Sequence, residues 1–344
     1  MARTAVVLLN LGAPDKPSAV RPFLKNMFSD PAILSVPGPV RWFLARLISG
    51  LRARKAIPIY EQLGGGSPLL ANTKAQAEAL QNLLGGDAQV FVSMRYWHPM
   101  STECVAAVKR YAPDQIVLLP LYPQFSGTTT GSSFADWRRA AARAGLSAPI
   151  HAVCCYPQQD GWVGAVADLI RTAIAQAGSA KKPRILFSAH GLPKKVIAGG
   201  DPYQWQVERT VDAVVAALGG GLDWSICYQS RVGPLEWIGP STEDEIDRAG
   251  REGVPILVVP IAFVSEHSET LVELDVEYRH RAERAGVPRY IRVPAVSTHP
   301  NFIGGLAAMI RATITANKPL NSAENARICP ANLVKCPCLE AKAP

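Results

Sequence analysis

The sequence predicts an α/β fold of two similar Rossmann-like halves, each a four-stranded parallel sheet flanked by helices, with a cleft between them. Three observations predict it. Eight short runs rich in Val, Ile and Leu fall into two groups of four. Most are separated by amphipathic helical patterns, the alternation that builds parallel sheets. The two groups also resemble copies of one unit: QIVLLPLYPQFSGTTTGSS at 115–133 lines up with PILVVPIAFVSEHSETL at 255–271, and IHAVCCYPQ at 150–158 with YIRVPAVSTHP at 290–300.

In chain order, the predicted strands of the first half are 4–12, 90–96, 115–122 and 150–156, and those of the second are 184–190, 223–229, 255–264 and 289–296. Most are runs rich in apolar residues, as expected of strands covered on both faces. Helical periodicity fills 73–84, 101–111, 132–144, 162–177 and 205–218. The expected boundaries are 1–158 for the first half, 159–318 for the second and 319–344 for a cysteine-bearing tail. The first half carries a Pro-rich insertion at 13–70 that ends in GGGSP. It has neither G-x-G-x-x-G after a strand nor a P-loop Lys, which excludes the common nucleotide-binding loops. Within it, 40–55 reads as a basic amphipathic helix, with Trp42, Phe43, Leu44, Leu47, Ile48 and Leu51 beside Arg41, Arg46, Arg52, Arg54 and Lys55. Such a helix either packs on its own domain or faces a membrane.

At 344 residues and 48% hydrophobic content, the chain can bury two cores. Lys and Arg exceed Asp and Glu by 36 − 28 = +8, which favours an anionic partner: a carboxylated small molecule, an acidic membrane surface or nucleic acid. The longest apolar run, 256–264, is far short of the roughly 20 residues of a spanning helix. A polar, sheet-like start leaves no room for a signal peptide, so the expectation is a cytoplasmic protein. Seven cysteines in that setting point to thiols or metal ligands rather than disulfides.

The stretch FVSEHSETLVELDVEY at 263–278 carries the most chemistry. Glu269, Glu273 and Glu277 recur at i, i+4 and i+8 and form one acidic stripe on a helix, with Leu271, Leu274 and Tyr278 on its apolar face. Glu266 and His267 lie at the junction just after a buried strand, where open α/β sheets bind ligands. A solvated acidic helix face is the ordinary reading of such a stripe, but no Lys or Arg alternates with these carboxylates before Arg279. His190 ends the run RILFSAH and is followed by Gly191, Leu192 and Pro193, so its imidazole sits at the carboxyl edge of a second strand of the same half.

Seven motifs in combination make the chain resemble ferrochelatases from LLNLGAP at 8–14 to about residue 316: GGGSP at 64–68, MRYWHP at 94–99, YPQFSGTTTGSS at 122–133, FSAHGLP at 187–193, GDPY at 200–203, YQSRVGPLEWIGP at 228–240 and PIAFVSEHSETLVELDVEY at 260–278. The resemblance implies insertion of Fe2+ into protoporphyrin IX or coproporphyrin III with release of two protons. It makes His190 and Glu269 the paired active-site residues, and it implies iron handling by His190, Glu269, Glu266, His267, Glu273 and Glu277. Candidate porphyrin contacts are Ile33, Leu34, Tyr96, Tyr122, Phe125 and Trp237 for the ring, with Arg95, Gln229, Ser230 and Arg231 for propionates.

Some ferrochelatases hold a [2Fe-2S] cluster on a cysteine-rich tail plus one internal cysteine. The tail ICPANLVKCPC at 328–338 is similar, which implies Cys329, Cys336 and Cys338 as ligands with Cys155 as the fourth and Cys154 as its rival. Zinc is the competing metal for such a set. Cys104 and Cys227 read as structural. The expected partners are the porphyrin and ferrous iron, not nucleic acid. Peripheral contact at the inner face of a membrane, and a monomer or homodimer, complete the expectation. A porphyrin or haem carrier, or a cobalt or nickel tetrapyrrole chelatase of the same fold, are the alternatives. Gly191 where many relatives have Ser, Glu266 where many have Asp, and Glu61 and Gln62 at positions that are basic in animal enzymes are the departures.

Overall fold

The computed structural model describes residues 3–178, 181–231 and 233–338, so 339–344 of the expected tail lie outside the described residues. The described strands are β1 (Thr4–Leu11), β2 (Ala88–Arg95), β3 (Gln115–Pro120), β4 (Ile150–Val153), β5 (Arg184–His190), β6 (Trp224–Gln229), β7 (Ile256–Pro260), β8 (Tyr290–Arg292) and β9 (Leu320–Asn321). The described residues divide into two compact units: those up to 155 with 306–327 and 337–338, and those of 156–305 with 328–336.

The first unit holds a parallel sheet in the order β2-β1-β3-β4-β9. The sequence predicts four strands here, and the structure adds a fifth. Leu320–Asn321 pairs with Ala152 and Val153, and two residues are too few to leave an apolar pattern. The interior strand β1, flanked by β2 and β3, is buried from Thr4 to Asn10. Its insertion packs on itself: Val20, Phe23, Leu24 and Phe28 meet Ala45, Ala53 and Tyr60 of the helix Gly38–Gln62, with Ile33 and Leu34 against the same cluster. The buried seam of that helix is the small-residue face Ala45, Ser49 and Ala53. Its large apolar residues Trp42, Phe43, Leu47 and Leu51 stay exposed.

The second unit holds the parallel sheet β6-β5-β7-β8. Each unit therefore repeats the order second, first, third, fourth, as the internal similarity of the sequence predicts. In this topology the order reverses between the first and third strands, and the connections leave to opposite faces there, opening a crevice at the strands' carboxyl ends. In the second unit that point lies between β5 and β7. His190 is the last residue of β5, and the segment leading to Glu269 follows β7. The core beneath is Leu186, Cys227, Ile246, Ile256, Val258, Leu274 and Tyr290.

Residues Glu269–Glu277 depart from a regular α-helix and form a π-helix, continued as an α-helix over Tyr278–Arg284. Its wider turn is a geometry enriched at functional sites. A shorter π-helix, Gly127–Gly131, occupies the matching place after β3 in the first unit.

Candidate active site

His190 Nδ1 lies 2.8 Å from Glu269 Oε2, and the two side chains remain 40% and 29% exposed. The strand end delivers the imidazole and the first turn of the π-helix delivers the carboxylate. Behind Glu269 stands Glu273, held on several sides. Ser230 donates its backbone N–H to Glu273 Oε1 at 2.8 Å and its hydroxyl to Oε2 at 2.5 Å, Gln229 Nε2 donates to Oε2 at 3.1 Å, and Tyr278 OH donates to Oε1 at 3.1 Å. Ser230 adopts a left-handed backbone conformation at φ +60°, which turns both its N–H and its hydroxyl toward the carboxylates.

The electrostatics separate the two carboxyls. Burial pushes Glu269 up, but the charge and hydrogen bond of His190, with His267 and Ser230, bring it down to about 2. Burial and the neighbouring Glu269 charge push Glu273 up to about 7. Burial lowers the His190 imidazole, and the Glu269 carboxylate more than offsets this, so its proton affinity is raised. His267 is lowered by burial. Paired titratable groups whose environments drive them apart are the arrangement of an acid–base site.

The remaining candidates divide. His267 accepts from the backbone N–H of Glu269 at 3.2 Å and packs its ring 4.8 Å from Phe263. Glu266 pairs with Arg292 at 2.8 Å and accepts from Ala295 N at 2.9 Å. Glu277 is exposed. Among the described residues, no group of three or more His, Cys, Asp and Glu side chains is disposed to hold a metal ion.

Of the expected porphyrin contacts in this unit, Gln229 is fully buried, its amide oxygen accepting from Ser188 at 2.8 Å; Arg231 is exposed, and Trp237 is partly buried. In the first unit Arg95 binds Asp30 at 2.6 Å and Ser132 at 2.7 Å and lies 4.2 Å over the Tyr96 ring. Tyr96 donates to Asp30 and is buried, as is Phe125, while Tyr122, Ile33 and Leu34 are partly exposed.

A ferrochelatase family profile matches residues 3–314. The chain is 52% identical over 343 residues to a ferrochelatase of Caulobacter vibrioides, with 98% of each covered. The chain belongs to the ferrochelatase family. It is also 48% identical over 347 residues to a ferrochelatase of Hyphomonas neptunium, covering 99% of this chain and 96% of that one. Among solved structures, SirB from Bacillus subtilis with Fe3+ superposes with a TM-score of 0.55 over 90% of this chain and 95% of its own, at 13% identity, a likeness of fold alone. Membership in the ferrochelatase family makes this chain an enzyme of metal insertion into a porphyrin, within haem biosynthesis.

Several residues of this candidate site escape sequence reasoning. Arg292 supplies the base that the 266–278 stretch lacks, from a strand that reads as plain core. Tyr278 fits the apolar face of the stripe yet donates its hydroxyl to Glu273. Ser188 left a faint signal, a hydroxyl inside the apolar run RILFSAH. Among the cysteines, Cys154 Sγ lies 3.2 Å from Cys338 Sγ and 3.6 Å from Cys155 Sγ, and these neighbouring sulfurs, ahead of burial, raise the Cys154 thiol well above its usual range. Burial pushes Cys104 and Cys227 up to about 12, as for inert structural thiols.

Proposed function

We propose that His190 is the base that takes pyrrole N–H protons while Glu269 holds the resulting imidazolium. The observation that carries this reading is the 2.8 Å His190–Glu269 pair, with a second carboxyl near pKa 7 directly behind it. With Nδ1–H donated to Glu269, the lone pair of Nε2 is the proton acceptor. Metallation releases two protons, and Glu273 is a second acceptor near neutral pH, linked to Glu269 through Ser230. Incoming Fe2+ is the substrate, drawn by the Glu269 and Glu273 charge and freed of water as it passes to the ring nitrogens. Trp237, Tyr122, Ile33 and Leu34 are assigned to the ring and Arg231 to a propionate. Arg95, Tyr96 and Gln229 are assigned to shaping the site, since their polar atoms already have protein partners.

The test is to mix the protein with Fe2+ and porphyrin and follow the free-base absorption bands. Their collapse marks an enzyme, and their persistence marks a carrier. Comparing turnover on protoporphyrin IX and coproporphyrin III identifies the porphyrin.

For the tail we propose a [2Fe-2S] cluster held by Cys155, Cys329, Cys336 and Cys338. What supports the reading is the approach of cysteines from distant parts of the chain: Cys154 Sγ lies 3.2 Å from Cys338 Sγ and 3.6 Å from Cys155 Sγ, and thiolate ligation of a metal would release the thiol protons. Such a cluster, when bound, supplies one-electron chemistry and a cross-link. The 3.2 Å Cys154–Cys338 approach makes Cys154 the rival for the fourth place.

The exposed Trp42, Phe43, Leu47 and Leu51 beside Arg46 and Arg52 favour peripheral contact with an acidic bilayer, at the inner face of the membrane of a cytoplasmic protein. No helix among the described residues is long and apolar enough to cross a membrane.

A further inference from the structure

The motif GDPY at 200–203 has no part in the chemistry above, yet it touches both the tail and the catalytic strand. Lys335 donates its backbone N–H to the Gly200 carbonyl at 3.1 Å. Gly200 sits at φ +88°, and a Cβ there would come 2.6 Å from Val334 Cγ2 and 3.0 Å from Val334 N, so the close seating of the tail depends on a missing side chain. Further along, Gln206 Nε2 donates to Cys329 Sγ at 3.2 Å, both residues buried. One end of the 328–336 segment thus rests on the turn at Gly200 that leads into the helix Tyr203–Ala217, and the other on the first turn of that helix.

That helix begins with a residue that reaches the active site. Asp201 accepts from the backbone N–H of Tyr203 at 3.1 Å, and Tyr203 OH donates to the backbone carbonyl of His190 at 3.0 Å. The β5–β7 register ends at Ser188, so the sheet on that side stops short of His190 and Tyr203 supplies the donor its carbonyl takes. The His190 ring is held by Glu269 and its peptide by Tyr203. We propose that the 328–336 segment is a positioning strap for the catalytic histidine, acting through Gly200 and Tyr203.

The inference rests on His190 being the base, and it makes Tyr203 a positioning residue. Tyr203→Phe removes only the hydroxyl. With the full chain, kcat for iron insertion falls about tenfold, the worth of one net hydrogen bond, while KM for porphyrin stays within about twofold. Gly200→Ala unseats the tail, which then becomes sensitive to limited proteolysis at 328–336, and lowers kcat to a similar degree. The double variant is no worse than the poorer single variant, because both changes cut one path. Full kcat in Tyr203→Phe, a loss confined to KM, or losses that multiply in the double variant would overturn the strap. His190→Ala in the same assay separates the two readings: if it is inactive while Tyr203→Phe is normal, the strap alone is wrong, and if it turns over normally, the base assignment on which the strap rests is wrong.

Discussion

Glu273 lies one hydroxyl away from Glu269: Ser230 Oγ is 2.5 Å from Glu273 Oε2 and 3.3 Å from Glu269 Oε2. A single O–H serves two carboxylates and reaches one of them at a time. In the proposed mechanism the pair is a coupled unit: against burial, the His190 charge holds Glu269 down to about 2, while burial and the Glu269 charge push Glu273 up to about 7.

This sets the pH dependence. If His190 and Glu273 are the acceptors as proposed, both must be deprotonated, and turnover is expected to rise with pH through about 7 for Glu273 and above the ordinary histidine value for His190. Glu273→Gln leaves one titration on the acid side: the limb of a log kcat profile becomes shallower, and kcat falls by about 10²-fold. An unchanged limb would remove Glu273 from the proton path.

The same group costs stability in its working form. Its folded-state pKa lies above the unfolded value, so its contribution is fully present below about 4.5 and is lost as pH rises through about 7. Glu273→Gln is expected to narrow the difference in thermal midpoint between pH 5 and pH 8. Scanning calorimetry at the two values checks it.

Glu266 and Glu269 are three residues apart and equally acidic in the sequence, but they meet different partners, Arg292 and His190. Glu266 neutralises Arg292, a side chain only 11% exposed. Glu266→Gln is expected to lower stability by about 2 kcal/mol in urea titrations while keeping most turnover per folded molecule. A turnover loss as deep as that of Glu269→Gln, with stability intact, would instead support the expected part of Glu266 in iron handling.

The cysteines yield a compositional test. The purified protein is expected to hold about two irons and two acid-labile sulfides per chain and to be coloured before any haem forms. Cys155→Ser bleaches it and Cys104→Ser does not. Colour lost in Cys154→Ser but kept in Cys155→Ser would move the fourth ligand by one residue, and zinc without sulfide would replace the cluster.

The parallel sheets were legible because strands buried on both faces leave long apolar runs, and the meeting of His190 with Glu269 because one ends such a run and the other lies in the segment after another. Strand β9 was not, since two residues carry no period. The π-helix was hidden because its residues satisfy an α-helical stripe equally well. The support around the carboxylates was hidden for another reason: Ser230, Gln229, Tyr278 and Arg292 act by a left-handed turn, a buried amide, a phenol on an apolar face and a core strand, none of which alters local composition. Arg95 reads as a propionate donor by charge alone, and only the fold brings it to Asp30, 65 residues away.

The central claim is that the His190–Glu269 pair performs proton removal and does not merely line the site. The most direct measurement is single-turnover iron insertion by His190→Ala, with porphyrin affinity measured in parallel by fluorescence quenching. The account predicts porphyrin bound with near-normal affinity and insertion slowed by at least about 10²-fold. Near-normal insertion by His190→Ala would contradict it.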